Sequence, residues 1–175
     1  RAMLDALGCA RAGRRAPGVE AVAQQLAEWG GKPEATMWWR EARLPAPAAA
    51  FANSVAVHAL DHDDVHVPST THLTSVVVPA AVAVGEAQNA SDLAVLEAVI
   101  TGVEAAARLG VPAKASRMEH GYLPTTVFGV FGAAAASARL MGLDADRTGH
   151  ALGLAYAHAC GNRQALFDHT LAKRI

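Results

Sequence analysis

Apolar residues recur along most of this chain at helical spacing, and almost nowhere do they alternate as a half-buried strand requires. Met3 to Arg11 reads as a short helix closed near Gly13 and Pro17. Val19, Val22, Leu26 and Trp29 form the stripe of a second helix, Val19 to Trp29, ended by Gly30-Gly31. Lys32 to Pro47 is a connector whose Trp38 and Trp39 pack on the body or on a partner subunit. Helices are predicted from about Ala48 to Leu60 and from Leu73 to Ala87, with a loop between them containing Pro68. Ser91 is an N-cap for Asp92 to Leu109, and Gly110 with Pro112 is a stop. Two more helices follow, Thr126 to Met141 and, capped by Asp144, a run to about Cys160. In the first of these, Gly129, Gly132 and Ala133 to Ala136 let neighbouring helices come close. The expectation is an all-α fold in one domain spanning residues 1–175.

Composition narrows the function without naming it. The chain has 175 residues, 52% of them hydrophobic and only 5% aromatic, so Ala, Val and Leu build the core. A net charge of −1 gives no electrostatic case for nucleic acid or an anionic membrane. Arg11, Arg14 and Arg15 read as a solvated helix end. The run Val76 to Val84 is too short to span a bilayer and holds Pro79. Cys9 and Cys160 stand apart in apolar runs and read as two buried free thiols of a reducing compartment. The expected location is the cytoplasm, and both chain ends read as cut.

One stretch departs from this plain helical pattern. Three aspartates (Asp61, Asp63, Asp64) and four histidines (His58, His62, His66, His72) crowd the end of the third helix and the loop behind it. Desolvating such groups costs free energy unless they are paired or used. On the predicted helix His58 shares a face with Asp61 and with His62. Carboxylates at a helix C-terminus oppose its dipole, which favours function over a solvated turn, for Asp61 ahead of Asp63 and Asp64. Imidazole titrates near neutrality and suits acid/base work. A His/Asp cluster can also ligate a metal, and a metal-dependent hydrolase is one reading, but no established zinc motif is present. Nucleophile-elbow, P-loop and dinucleotide signatures are absent.

Four stretches together resemble the MmgE/PrpD family: Leu44 to Asn53, Leu60 to His72, Gly121 to Asp144 and Ala151 to Lys173. That family includes 2-methylcitrate dehydratase and cis-aconitate decarboxylase. The resemblance implies the family's large helical domain, with the smaller lid domain absent from this chain, and a homodimer. It implies a lyase acting on a small polycarboxylate, by dehydration or decarboxylation, with no metal and no organic cofactor. The family's active-site aspartate falls on Asp61, the loop histidine on His72, and the lysine of its Thr-Lys-Arg-like motif on Lys173. His58, Asp64, His120, Tyr122 and Thr125 are expected to bind substrate or support those three. Val65 stands where the family usually has threonine, and Leu123 where it often has a histidine, with His120 nearby. Those two apolar residues leave open a member altered for binding or assembly.

Overall fold

The computed structural model describes residues 1–113 and 121–167. Their order is α1 (Ala2–Gly13), α2 (Val19–Trp29), β1 (Ala35–Thr36), β2 (Arg43–Leu44), α3 (Ala46–His58), α4 (Thr74–Gln88), α5 (Asp92–Gly110), α6 (Pro124–Leu140), α7 (Ala145–His158) and a final turn, α8 (Gln164–Phe167). The all-α expectation holds, with one small antiparallel pairing of Ala35 with Leu44 and Thr36 with Arg43.

That hairpin lies inside the segment expected to be a plain connector. Its anchors come from distant helices. Glu86 of α4 accepts from the Thr36 amide at 2.7 Å and its hydroxyl at 2.8 Å. Asn53 of α3 accepts from the Trp38 amide and donates to the Thr36 carbonyl, both at 3.0 Å. Asn53 is buried, so these bonds also satisfy its amide. Trp38 and Trp39 pack against the core, and Trp39 bridges its two clusters.

α4 is the central helix, touching α1, α3, α5, α6 and β1. It has little polar face, and Val77, Val78, Pro79 and Ala81 are all buried. Pro79 lacks the N–H that would bond the Ser75 carbonyl one turn back. The Ser54 hydroxyl of α3 donates to that carbonyl instead, which ties the helix pair at the place where the proline opens the ladder.

α5 and α6 meet through glycine. A Cβ on Gly102 would stand 2.6 Å from the Gly132 carbonyl oxygen, and one on Gly132 would stand 2.9 Å from that of Gly102. The small-residue stripe expected to permit close approach does so here. Among the described residues, no helix is long and apolar enough to cross a membrane.

Three local expectations are corrected. The third helix runs from Ala46 to His58 rather than from Ala48 to Leu60, because the chain turns after His58, where the Asp61 amide donates to the His58 carbonyl at 3.0 Å. Asp61 and His62 therefore share no helical face with His58. Cys160 is exposed and Cys9 only partly buried, so neither is a core thiol, although both are free. Cys160 lies beyond the end of α7, a helix with one buried residue, Ala155.

Candidate active site

The loop between α3 and α4 folds back over the end of α3. It is closed by a backbone pairing of His66 with Thr71 and by a hydroxyl relay from His66 Nδ1 to Ser69, 2.7 Å away, and on to Thr71. Asp64 Oδ1 accepts from both the amide and the hydroxyl of Thr74 at the first residue of α4. A carboxylate is favoured there by the helix dipole. Asp64 is thus a clasp between loop and helix.

His72 ends the loop, and its backbone is held on both sides. Its N–H donates to Thr125 Oγ1 at 3.0 Å, and its carbonyl accepts from the Ser75 hydroxyl at 3.0 Å. The bond to Thr125 brings the first turn of α6 to the loop.

Four side chains converge as a result. His58 Nδ1 lies 3.0 Å from each carboxylate oxygen of Asp63. His72 Nδ1 lies 3.3 Å from Asp63 Oδ2. The two imidazoles meet edge to face, with centroids 4.8 Å apart and planes at 64°. On their other side, Asp61 Oδ1 is 3.6 Å from His72 Nε2 and 4.0 Å from His58 Nε2. The Asp63 side chain is fully buried, the imidazoles are mostly covered, and Asp61 is 47% exposed. The cluster is layered, with a buried carboxylate below, two imidazoles between, and a half-exposed carboxylate outermost.

Burial alone would raise the Asp63 pKa, but its polar contacts with His58 and His72 and their positive charge more than reverse this. The carboxyl is held well below the usual carboxylate range and stays ionised. Asp61 has φ 58°, in the left-handed region that few residues other than glycine adopt and aspartate tolerates. Such backbone persists where surrounding structure imposes it, often at functional sites.

The expected site residues divide. His58, Asp61 and His72 come together, and Thr125 touches the His72 backbone. Asp64 binds Thr74 instead of facing the cluster. Tyr122 is exposed and lines a hollow of about 230 Å³ with Pro124, Val127, Phe128 and Ala159. His62 is exposed and lines another hollow with Leu4, Gly8 and Leu60. His120 and Lys173 lie outside the described residues. Residues 161 and 163 pair with the chain before α6: the Leu123 amide donates to the Gly161 carbonyl at 3.3 Å, and the Arg163 amide to that of Gly121 at 2.8 Å.

Asp63 is the residue that sequence reasoning ranked too low. No periodicity operates in a loop, so nothing in the spacing separates the buried aspartate from its neighbours. The arrangement can move protons at two imidazole edges. Donor atoms from His58, Asp61, Asp63 and His72 also all lie within 4.8 Å of one another, close enough to hold a metal ion.

Comparison with known proteins adds an independent finding. Residues 1–175 match the model of the MmgE/PrpD N-terminal domain. Human cis-aconitate decarboxylase is 34% identical over 165 residues, covering 91% of this chain and 34% of that enzyme. The Aspergillus terreus cis-aconitate decarboxylase is 30% identical over 179 residues, covering 99% of this chain and 36% of its own length. The chain spans about a third of the length of these relatives.

Proposed function

The chain belongs to the MmgE/PrpD family through its N-terminal domain, and from that premise we propose that it serves a lyase acting on a small polycarboxylate related to cis-aconitate. One observation carries the reading: His72 is held by α4 and α6 with its ring between the buried Asp63 and the exposed Asp61. In decarboxylation the C–CO₂ bond breaks, its electron pair stays on carbon, and an acid delivers a proton there. In dehydration a base takes a carbon-bound proton, that electron pair forms the double bond, and an acid protonates the departing hydroxyl. His72 is assigned the proton transfer. Asp61, beside Nε2, tunes and orients it. Lys173 is assigned a substrate carboxylate on the strength of the family motif. In this reading the protein works as a homodimer, as the resemblance implies, and its two free cysteines suit the reducing cytoplasm.

The test is a proton NMR turnover assay against cis-aconitate, 2-methylcitrate, citrate and an iminodisuccinate-type substrate, with Lys173→Ala as control. Consumption of one substrate by the wild type and not by the control is expected. No turnover by a folded protein sinks the lyase reading and favours a member altered for binding or assembly, in keeping with Val65 and Leu123. In that case Leu123→His discriminates further, since restored turnover would mark a decayed lyase. The His/Asp cluster favours one second reading, a metal-dependent hydrolase. Stoichiometric metal in untagged protein would support it, and a substoichiometric amount excludes it.

A further inference from the structure

Proton transfer by His72 leaves two members of the cluster without a part, His58 and Asp63. Asp63 is the more telling. Its side chain has no solvent exposure, yet it is ionised, so its partners must supply protons to it. An ionised carboxylate only accepts hydrogen bonds. His58 Nδ1 is hydrogen-bonded to it at 3.0 Å, and His72 Nδ1 faces it across a longer ion contact of 3.3 Å. A neutral imidazole carries a single N–H, and its position is set by the bond the ring must make. If Nδ1 holds that hydrogen in both rings, Nε2 is the proton-accepting atom in both. The two Nε2 atoms flank the same carboxylate oxygen, Asp61 Oδ1, at 4.0 and 3.6 Å.

We propose that Asp63 is a positioning residue that fixes both imidazoles as Nδ1–H tautomers, and that His58 Nε2 thereby joins His72 Nε2 as a second proton-transferring atom beside Asp61. This rests on the lyase reading and deepens it. Dehydration needs two proton-handling atoms. One imidazole, neutral at Nε2, takes the carbon-bound proton as the C–H electron pair becomes the double bond. The other, protonated at Nε2, gives its proton to the hydroxyl as the C–O bond breaks and water leaves. One proton enters the pair of rings and one departs, so the pair ends with the charge it began with and the roles exchanged. Asp61, half exposed beside both Nε2 atoms, stabilises whichever ring carries the charge. Decarboxylation needs the acid alone. The paired geometry therefore suits elimination of water, or its reversal, from a hydroxy-polycarboxylate.

The test begins with the wild-type protein carrying ¹⁵N-labelled histidine. Two-bond ¹H–¹⁵N correlations, recorded where the imidazoles are neutral, report which nitrogen bears hydrogen. Nδ1–H on both His58 and His72 is expected, and Nε2–H on either ring overturns the proposal. This readout needs neither a substrate nor a variant, so it stands even if turnover fails and the lyase reading falls. In Asp63→Asn the side chain accepts through one oxygen and donates through its NH₂, so one ring must switch to Nε2–H. That switch should accompany a fall in kcat of about 10²- to 10⁴-fold, with KM changed little. His58→Gln should lower the dehydration rate about 10²-fold or more. An unchanged rate in His58→Gln removes His58 from proton transfer. An unchanged tautomer pair in a folded Asp63→Asn removes Asp63 as its cause.

Discussion

The backbone N–H of His72 donates to the side-chain oxygen of Thr125 at 3.0 Å, joining residues 53 positions apart. Helix α6 thereby fixes where the α3–α4 loop presents its last imidazole. Thr125→Val keeps the shape and removes the acceptor. The His72 amide, in a part-buried setting, then lacks that partner, at a cost of about 1–2 kcal/mol. Turnover should fall about tenfold because the ring loses its anchor while its chemistry is intact. Urea unfolding and steady-state kinetics on the same preparation check both effects. Full activity with lowered stability would show that the bond serves the fold alone.

Acid should weaken the link between Asp63 and its histidines, and the sign follows from the direction of the shift. The folded carboxyl is held below its unfolded counterpart, whose ordinary pKa is about 3.9. Its contribution is therefore fully present above about pH 4 and drains away as pH falls through the folded value. Asp63→Asn should be less stable than wild type at pH 7, by about 2 kcal/mol. The gap should narrow steadily as the solution is acidified below pH 4. Thermal melts of both proteins across that range test it, and a gap independent of pH would deny that Asp63 is ionised in the fold.

Where α5 and α6 cross at Gly102 and Gly132, there is no room for a further side chain. Alanine at Gly102 would gain about 1 kcal/mol in helix propensity. Its Cβ would also meet the Gly132 carbonyl oxygen and a Val77 methyl, each at 2.6 Å. Overpacking of this kind outweighs the propensity gain, and a net loss of about 2 kcal/mol is expected for Gly102→Ala. Denaturant midpoints decide it. An unchanged or raised midpoint would mean that the helices can part without loss.

Much of this architecture is legible in residue order, for identifiable reasons. Caps are local chemistry: the Ser91 side chain accepts from the Ala94 amide at 3.3 Å, and that of Asp144 from the Arg147 amide at 2.8 Å, where the residue types predict them. The hairpin at Ala35 and Leu44 is not legible, because its stabilising partners, Asn53 and Glu86, come from other helices. The end of α3 is misplaced by two residues, since Ala59 and Leu60 suit a helix and nothing local marks the turn. That small error matters for the site. It moves Asp61 from the face of a helix to a strained loop position, and it hides Asp63, whose depth depends on how the loop folds back on His58. The clustering of acids and imidazoles is visible in the sequence; which carboxylate lies at its centre is a tertiary fact.

Asp61 gives the cleanest separation of fold from chemistry. At φ 58° most side chains would strain the backbone, but asparagine enters the left-handed region as readily as aspartate. Asp61→Asn therefore keeps the turn and nearly the same volume, and it removes only the charge beside the two Nε2 atoms. Stability should stay within about 0.5 kcal/mol of wild type, since the side chain is half exposed and its contacts with the two imidazoles are long, at 3.6 and 4.0 Å. Turnover should fall about 10²-fold or more, because a protonated imidazole in the transition state loses its neighbouring carboxylate. Asp61→Val separates the two contributions again: a β-branched residue at positive φ should destabilise the fold by about 1–2 kcal/mol on top of the lost activity. Matched unfolding curves with normal turnover in Asp61→Asn would remove Asp61 from the mechanism and leave proton transfer to the imidazoles and Asp63.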